Sequence, residues 1–470
     1  MSREKNLVKN TAILSLGTFL PKVATMITLP LLTGHLSTTE FGTYDLIITL
    51  VALLLPAVTL QVQSAAFRFL IETRNNREES KKVISNIILF TVAVSLVAVV
   101  ILYFVLYTLD TIIRLEIAIY FLFDIILITM RQIARGIGDN VAFSVNAITN
   151  SVVMMVSTAV ALVVFEAGLF GVLIALILST VWSVVFLSIR LKIYEYISLS
   201  AISISVLKKM LSYSWPMVPN NLSNWVLSLS NRIIITVFLG LEANAVYAVA
   251  NKIPNLFKTF QSTFMYAWQE NATITKDDDD SVEYYSVIFD GTFSLLSAAM
   301  ALLIASSPIL FHFLIRGSYS AAYYQMSVLY MGVFFSSISG FMGSIYIAHM
   351  KSKSVGVTTV LAATVNLLVD LLLIRRVGLY AGSIATLVSY FCLAVFRMVD
   401  SYKFQPIKYK FSKIIFSIAI LVLMCVLSFY RTLTFNILNI LIALALSYVL
   451  NKQLLYAMLG KLTKKIKQLI

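Results

Sequence analysis

The chain is short of charge, of acid and of cysteine. Only 12% of its 470 residues are charged, about half the ~25% of an ordinary soluble domain. So few charges cannot cover a water-facing surface. The composition therefore excludes a soluble enzyme, a disordered chain and a nucleic-acid reader. Acids are especially scarce: 22 Asp+Glu stand against 36 Lys+Arg, a net charge of +14. In an apolar chain that excess suits cytoplasmic loops facing anionic lipid. The two cysteines, Cys392 and Cys425, both lie in apolar runs, which argues against a structural disulfide and thiolate metal binding. His35, His312 and His349 are scattered near the ends of apolar segments and form no metal cluster. No GxxxxGK[ST] motif occurs, so the chain carries no P-loop ATPase. The first apolar stretch opens after Asn10 with no small-residue cleavage site, and reads as a first span rather than a signal peptide.

What is present is apolar length. Hydrophobic residues make up 59% of the chain and the mean hydropathy is +0.90. Fourteen apolar segments lie near 11–33, 42–70, 83–107, 115–133, 142–165, 168–189, 210–239, 243–269, 286–315, 323–349, 355–374, 378–398, 414–430 and 433–451. Most approach the ~20 residues needed to cross ~30 Å of hydrocarbon. The expected fold class is an all-α polytopic membrane protein of about 14 transmembrane helices, with 12 as the alternative count. Orientation follows from Lys and Arg in the connections. With the N-terminus inside, inside segments hold 25 basic residues and outside segments five. Both termini are expected in the cytoplasm.

The connections are short. The longest, around 190–209 and 270–285, leave no room for a soluble catalytic domain. The run Asp277–Asp280 reads as a solvated charge cluster rather than a metal-nucleotide site. The tail 452–470 alternates leucines with lysines, a pattern suited to a helix lying on the inner leaflet.

Two stretches repeat. Gly168-Leu169-Phe170-Gly171 and the residues to Phe186 match Gly378-Leu379-Tyr380-Ala381 and those to Phe396 at an offset of 210. A weaker echo pairs Leu36–Tyr44 with Leu239–Tyr247. Together they lay spans one to six over spans seven to twelve, as in parallel-repeat transporters. The expected organisation is an N-lobe (1–189), a cytoplasmic linker (190–209), a C-lobe (210–400), and two final helices with the basic tail (401–470).

Polar residues fall in helical stripes. Span one carries Thr11, Ser15, Thr18, Lys22 and Thr25; span two carries Gln61, Ser64 and Arg68. Span seven carries Asn220, Asn224, Ser228 and Asn231; span eight carries Asn244, Asn251, Asn255, Lys258, Ser262 and Gln269. Such groups cannot face lipid and must face protein or water. The four helices are two repeat pairs, as a polar cavity between two halves would require. Six cations sit at membrane depth: Lys22, Arg68, Arg232, Lys252, Lys258 and Arg397. Each costs roughly 2.5–3.5 kcal/mol at a helix centre and therefore points to a cavity or an acid partner. Lys22, Arg68, Lys252 and Lys258, with Gln61, Asn251 and Asn255, are the candidate substrate-binding residues for an anionic ligand. Prolines Pro21, Pro30, Pro56, Pro216, Pro219 and Pro254 fall in the same four spans and suggest bending. Asp370 lies one turn after Asn366, with Thr386 in span twelve and Asn231 in span seven. One carboxylate with amide and hydroxyl oxygens suits a small hard cation, a proton, or pairing with a buried Arg.

The chain resembles the oligosaccharide-lipid flippases of the multidrug/oligosaccharidyl-lipid/polysaccharide exporter (MOP) superfamily, the Wzx-type polysaccharide flippases in particular. The resemblance rests on Leu36-Ser37-Thr38-Thr39-Glu40-Phe41-Gly42-Thr43-Tyr44, on Trp215-Pro216 with Pro219, and on Asn231-Arg232 with Phe238-Leu239-Gly240. It implies two six-helix lobes in a V, a cationic lumen lined by helices one, two, seven and eight, and no catalysis. It also implies an undecaprenyl-pyrophosphate oligosaccharide as substrate, a bacterial plasma (inner) membrane location, and a polysaccharide polymerase and chain-length regulator as partners. No cofactor is expected beyond Na+ or H+ as coupling ion. The related lipid II flippases hold sodium on helices seven, eleven and twelve. Asn366, Asp370 and Thr386 match that pattern, whereas Asn231 stands where an Asp is usual. The competing readings are a cation-coupled multidrug exporter of the same fold and a membrane-embedded polymerase or glycosyltransferase.

Overall fold

The computed structural model describes the backbone of residues 3–467; side chains are described from 13 to 452 and at 456, except at 199, 259, 260, 262, 263, 266 and 267. The described residues form helices joined by short turns, with no strand among them. Two compact units divide the chain, Met1–Trp225 and Val226–Ile470.

Unit 1 opens with α1 (Arg3–His35), which contains Pro21 and Pro30. Its Gly17 meets the helix α6 (Asn140–Ala159), where a Cβ would lie 2.5 Å from Ser144 Oγ. Only a residue without a side chain permits that approach. Ser37 then starts α2 (Thr38–Thr59) with a complete capping box, its hydroxyl accepting from Glu40 N–H while Glu40 accepts from Ser37 N–H. Span two was expected to run unbroken over 42–70. Instead the helix breaks at Leu60 and Gln61, both at positive φ, and resumes as α3 (Val62–Thr73). Apolar composition across both pieces conceals the break. α4 (Arg77–Val105) is capped by Asn76 and α5 (Thr111–Ile137) by Asp110. α6 ends in a π-helical turn, Val160–Val164, before α7 (Gly168–Arg190). These helices pack around Ala65, Ala66, Leu70, Ile84, Ile133 and Leu187, all fully buried.

The segment expected as a loop linker, 190–209, is partly helical. It contains α8 (Ile193–Tyr196), a 3-10 turn (Leu199–Ala201) and the start of α9 (Ile204–Ser214). α9 packs on α3 and α4. α10 (Met217–Leu239) follows, and its Trp225 Nε1 donates to Thr49 O in α2 at 3.2 Å. These contacts tie the linker and the start of α10 to unit 1. The division therefore falls inside α10 rather than within 190–209. Pro216 and Pro219 lie just before and within the first turn of α10, where a missing N–H costs nothing. They begin a helix rather than bend one.

Unit 2 comprises the rest of α10 with α11 (Leu241–Thr275), α12 (Ser281–Leu314), α13 (Ser320–Ala348), α14 (Ser352–Val377), α15 (Tyr380–Ser401), α16 (Phe411–Ser428) and α17 (Leu433–Lys467). α13 is the central helix of this unit, buried along nearly its whole length. Its glycines let neighbours approach closely. A Cβ on Gly332 would lie 3.1 Å from Thr386 Cγ2, and one on Gly343 would lie 3.0 Å from an Arg397 guanidinium nitrogen. α17 kinks at Asn451, whose side chain donates to Ser294 O. The kink coincides with the expected end of the last span; the side chains of the basic tail beyond it lie, Lys452 and Tyr456 apart, outside the described residues.

Among the described residues, twelve helices are long and apolar enough to cross a membrane. α5 and α11, 27 and 35 residues long, are not among these twelve. Fourteen is therefore an approximate count. Gly168 at the start of α7 and Gly378 just after α14, matched positions of the expected repeat, carry φ of 54° and 57°.

Candidate functional site

The residues expected to hold an ion come together in unit 2. Asn231 on α10 donates its amide nitrogen toward Thr386 Oγ1 (2.9 Å) and Gly382 O (2.8 Å) on α15, and toward Tyr247 OH (3.0 Å) on α11. Asn366 on α14 donates to Ser389 Oγ on α15 at 3.3 Å, and its Oδ1 faces Ser230 Oγ at 3.5 Å. Asp370, one turn further along α14, is fully buried and within electrostatic reach of Tyr247. Neither of its carboxylate oxygens has a hydrogen-bond partner among the described residues, nor does Asn231 Oδ1. Three buried oxygens without a donor are costly as they stand. A proton or a small hard cation would satisfy them. With one carboxylate and otherwise neutral oxygens, the donor set fits a monovalent cation or a proton better than a divalent metal. The described residues contain no group of three His, Cys, Asp or Glu able to hold a metal.

Three of these contacts were not anticipated. Tyr247, Ser230 and Ser389 complete the cluster, and none stood out in the sequence as a polar group in an apolar helix. Tyr247 and Ser389 were visible only as positions within the repeat echoes.

The cations divide into two kinds. Lys258 on α11 is half-buried, with its ammonium 3.3 Å from Tyr390 OH and 5.1 Å from the centre of that ring. On the same helix Asn251 bonds back to Tyr247 O, Lys252 is half-buried and Asn255 is exposed. In unit 1, Lys22 is exposed on α1. Thr18 and Thr25 beside it bond to the carbonyls of Ser15 and Pro21, so those hydroxyls are occupied by their own helix. Thr11 and Ser262, expected on the stripes, lie outside the described side chains. Arg68 forms a 2.8 Å pair with Glu72 one turn along α3, and both are about half exposed. Gln61, buried at the α2–α3 break, accepts from Ser64 Oγ. Arg232 and Arg397 are buried. Arg397 does not reach toward the membrane surface; it donates to Thr358, Thr359, Ser339 O and Val355 O inside unit 2. Its role is to tie α13, α14 and α15 together.

The model of the polysaccharide biosynthesis protein family matches residues 7–268, more than half of the chain. No curated protein matches it in sequence. Among solved structures it is similar to a multidrug resistance MATE family transporter of the MOP superfamily in its inward-facing conformation. That likeness has a TM-score of 0.62 at 14% identity, covering 87% of this chain and 97% of the other. The outward-facing form of such a transporter is similar at a TM-score of 0.58 and 13% identity, over 84% and 94% of the two chains. A MOP superfamily transporter from Pyrococcus furiosus, described as having a binding pocket of reversed polarity that suggests a different function, is similar at 0.60 and 12%, over 86% and 97%. The shared fold runs along most of the chain, and the sequence match covers the LSTTEFGTY segment and α11 as far as residue 268. This chain therefore belongs to the polysaccharide biosynthesis protein family, and it shares its fold with transporters of the MOP superfamily.

Proposed function

We propose that the protein flips an undecaprenyl-pyrophosphate-linked oligosaccharide from the inner to the outer leaflet of the bacterial plasma membrane, for surface polysaccharide assembly. The observation that carries this is the cationic character of a polar helix: α11 holds Lys252 and Lys258 among Asn244, Asn251 and Asn255. Amides suit sugar hydroxyls, and ammonium groups suit pyrophosphate. In unit 1, Lys22 and Gln61 are groups of the same two kinds, and Arg68 is a third candidate for the head group. A prenyl tail can remain in lipid while the polar head passes ~30 Å of hydrocarbon beside such helices. Alternate exposure of these helices to the two sides moves the head without ATP. A head of charge about −2 moving outward gains roughly 4.6 kcal/mol per 100 mV of inside-negative potential. The Asp370 cluster is the coupling site, taking Na+ or H+.

The alternative is a cation-coupled multidrug exporter; the similar MATE structures are described as multidrug resistance transporters. Cationic drugs would call for an acidic or aromatic lining, and lysines are unsuited to that. Proteoliposomes bearing a defined lipid-linked oligosaccharide decide the matter. Outward flipping that grows with an imposed inside-negative potential supports the proposal. Transport of cationic dyes in place of the lipid would overturn it.

A further inference from the structure

We propose that a slot on the outer surface of unit 2 binds one acyl chain of an anionic phospholipid, with its phosphate held by Lys408. α15 and α16 both pack on α13 but make no substantial contact with each other. Between them runs a groove of about 580 Å³. Phe289, Phe293 and Ile338 form its floor and are almost fully buried, while Phe391 and Val395 on one wall are 46% and 42% exposed. Apart from Tyr402, Lys408 and Tyr409 at one end, the lining is apolar. In a chain that spans a membrane, an apolar slot of this kind opens onto lipid. Its volume lies in the range of small-ligand sites and cannot admit a partner helix about 10 Å across. An alkyl chain fits both its size and its chemistry.

The end carrying Lys408 identifies the head group. Four lysines lie close together there. Lys403 pairs with Asp400 at 2.7 Å, and Lys410 and Lys413 pair with Asp290 at 3.0 and 2.9 Å. Lys408 has no acid partner among the described residues, and it is the lysine that lines the slot. The segment that carries it is held firmly. Lys408 N–H donates to Ser286 Oγ at 2.9 Å, Gln405 meets His349 at 3.1 Å, and Tyr409 OH donates to Met398 O at 3.2 Å. The Tyr409 ring packs on the floor residue Phe289, with 5.0 Å between ring centres. An unpaired cation fixed at the interface end of an apolar slot is complementary to a phosphate whose chain lies below it.

The test uses the full-length protein purified in detergent, with phosphatidylglycerol and phosphatidylcholine of equal chain length scored by native mass spectrometry. The wild type is expected to bind the first phosphatidylglycerol about fivefold more tightly than phosphatidylcholine, the effect of one lysine near a membrane surface. Lys408→Gln removes that preference. Lys403→Gln, a change on the same segment, keeps it. Val395→Trp fills the slot from an exposed position and weakens binding of both lipids. An unchanged preference in Lys408→Gln, or unchanged binding in Val395→Trp, overturns the proposal. So does undecaprenyl phosphate binding in the slot where phosphatidylglycerol does not, since the occupant would then be a prenyl lipid.

Discussion

Glu40 and Leu169 are 129 residues apart in sequence and joined by a hydrogen bond of 3.1 Å, from Leu169 N–H to Glu40 Oε1. The other oxygen of the same carboxylate accepts from Ser37, N–H and hydroxyl. One side chain therefore closes the capping box of α2 and caps the first turn of α7, where a negative charge is favoured. The Ser37-Thr38-Thr39-Glu40 portion of the family motif thus has a structural role in unit 1.

Replacing Glu40 with Ala is expected to cost about 1–2 kcal/mol, the range for a lost cap. Gly168→Ala should cost at least as much, because Gly168 has φ of 54° and an added Cβ would lie 2.5 Å from Glu40 Oε1. Thermal unfolding in detergent reads both. If the double variant is no less stable than the wild type, the staple is unimportant.

Lys22→Ala and Lys258→Ala are each expected to lower export about tenfold or more while leaving membrane insertion intact, by loss of a charge-assisted contact to the anionic head. Arg at either position should be milder. The check is flipping in proteoliposomes at matched protein density. Full activity of the double Ala variant would remove these lysines from substrate recognition.

At the ion cluster, Asp370→Asn should abolish the dependence of transport on the coupling ion. Asn231→Asp supplies a second carboxylate beside Thr386 and should lower the half-saturating sodium concentration about tenfold, from ~1.4 kcal/mol of added attraction. Transport rates across a sodium series at fixed pH, and a pH series without sodium, separate the two ions. Wild-type responses to both in Asp370→Asn would make the cluster purely structural.

Arg397→Met should lower stability by about 2–3 kcal/mol, because a buried guanidinium bonded to four residues is lost and its acceptors are left without a donor. Substrate selectivity of the surviving protein should be unchanged. A variant of normal melting temperature that no longer transports would place Arg397 in the transport path instead.

Sequence legibility differed by level. The helical membrane class and the approximate span count follow from hydropathy and spacing, because hydrocarbon forces every backbone group into helix and sets the helix length. Asn366, Asp370, Thr386 and Asn231 were visible because polar groups in apolar runs are conspicuous. Their meeting was not, since it depends on α10, α14 and α15 converging, and no local pattern encodes that. Composition also failed at 60–61, where two left-handed residues break an apolar run that reads as continuous. It could not sort the cations either: Arg68 is balanced by Glu72 one turn away, whereas Arg397 is buried among hydroxyls and carbonyls. The sequence by itself determined what must be helical and kept from lipid, because those are one-dimensional consequences of transfer energy. Which polar groups meet, which remain unpaired as Asp370 does, and where α15 and α16 leave a slot were decided only by tertiary packing, because each depends on helices distant in sequence arriving on the same neighbour.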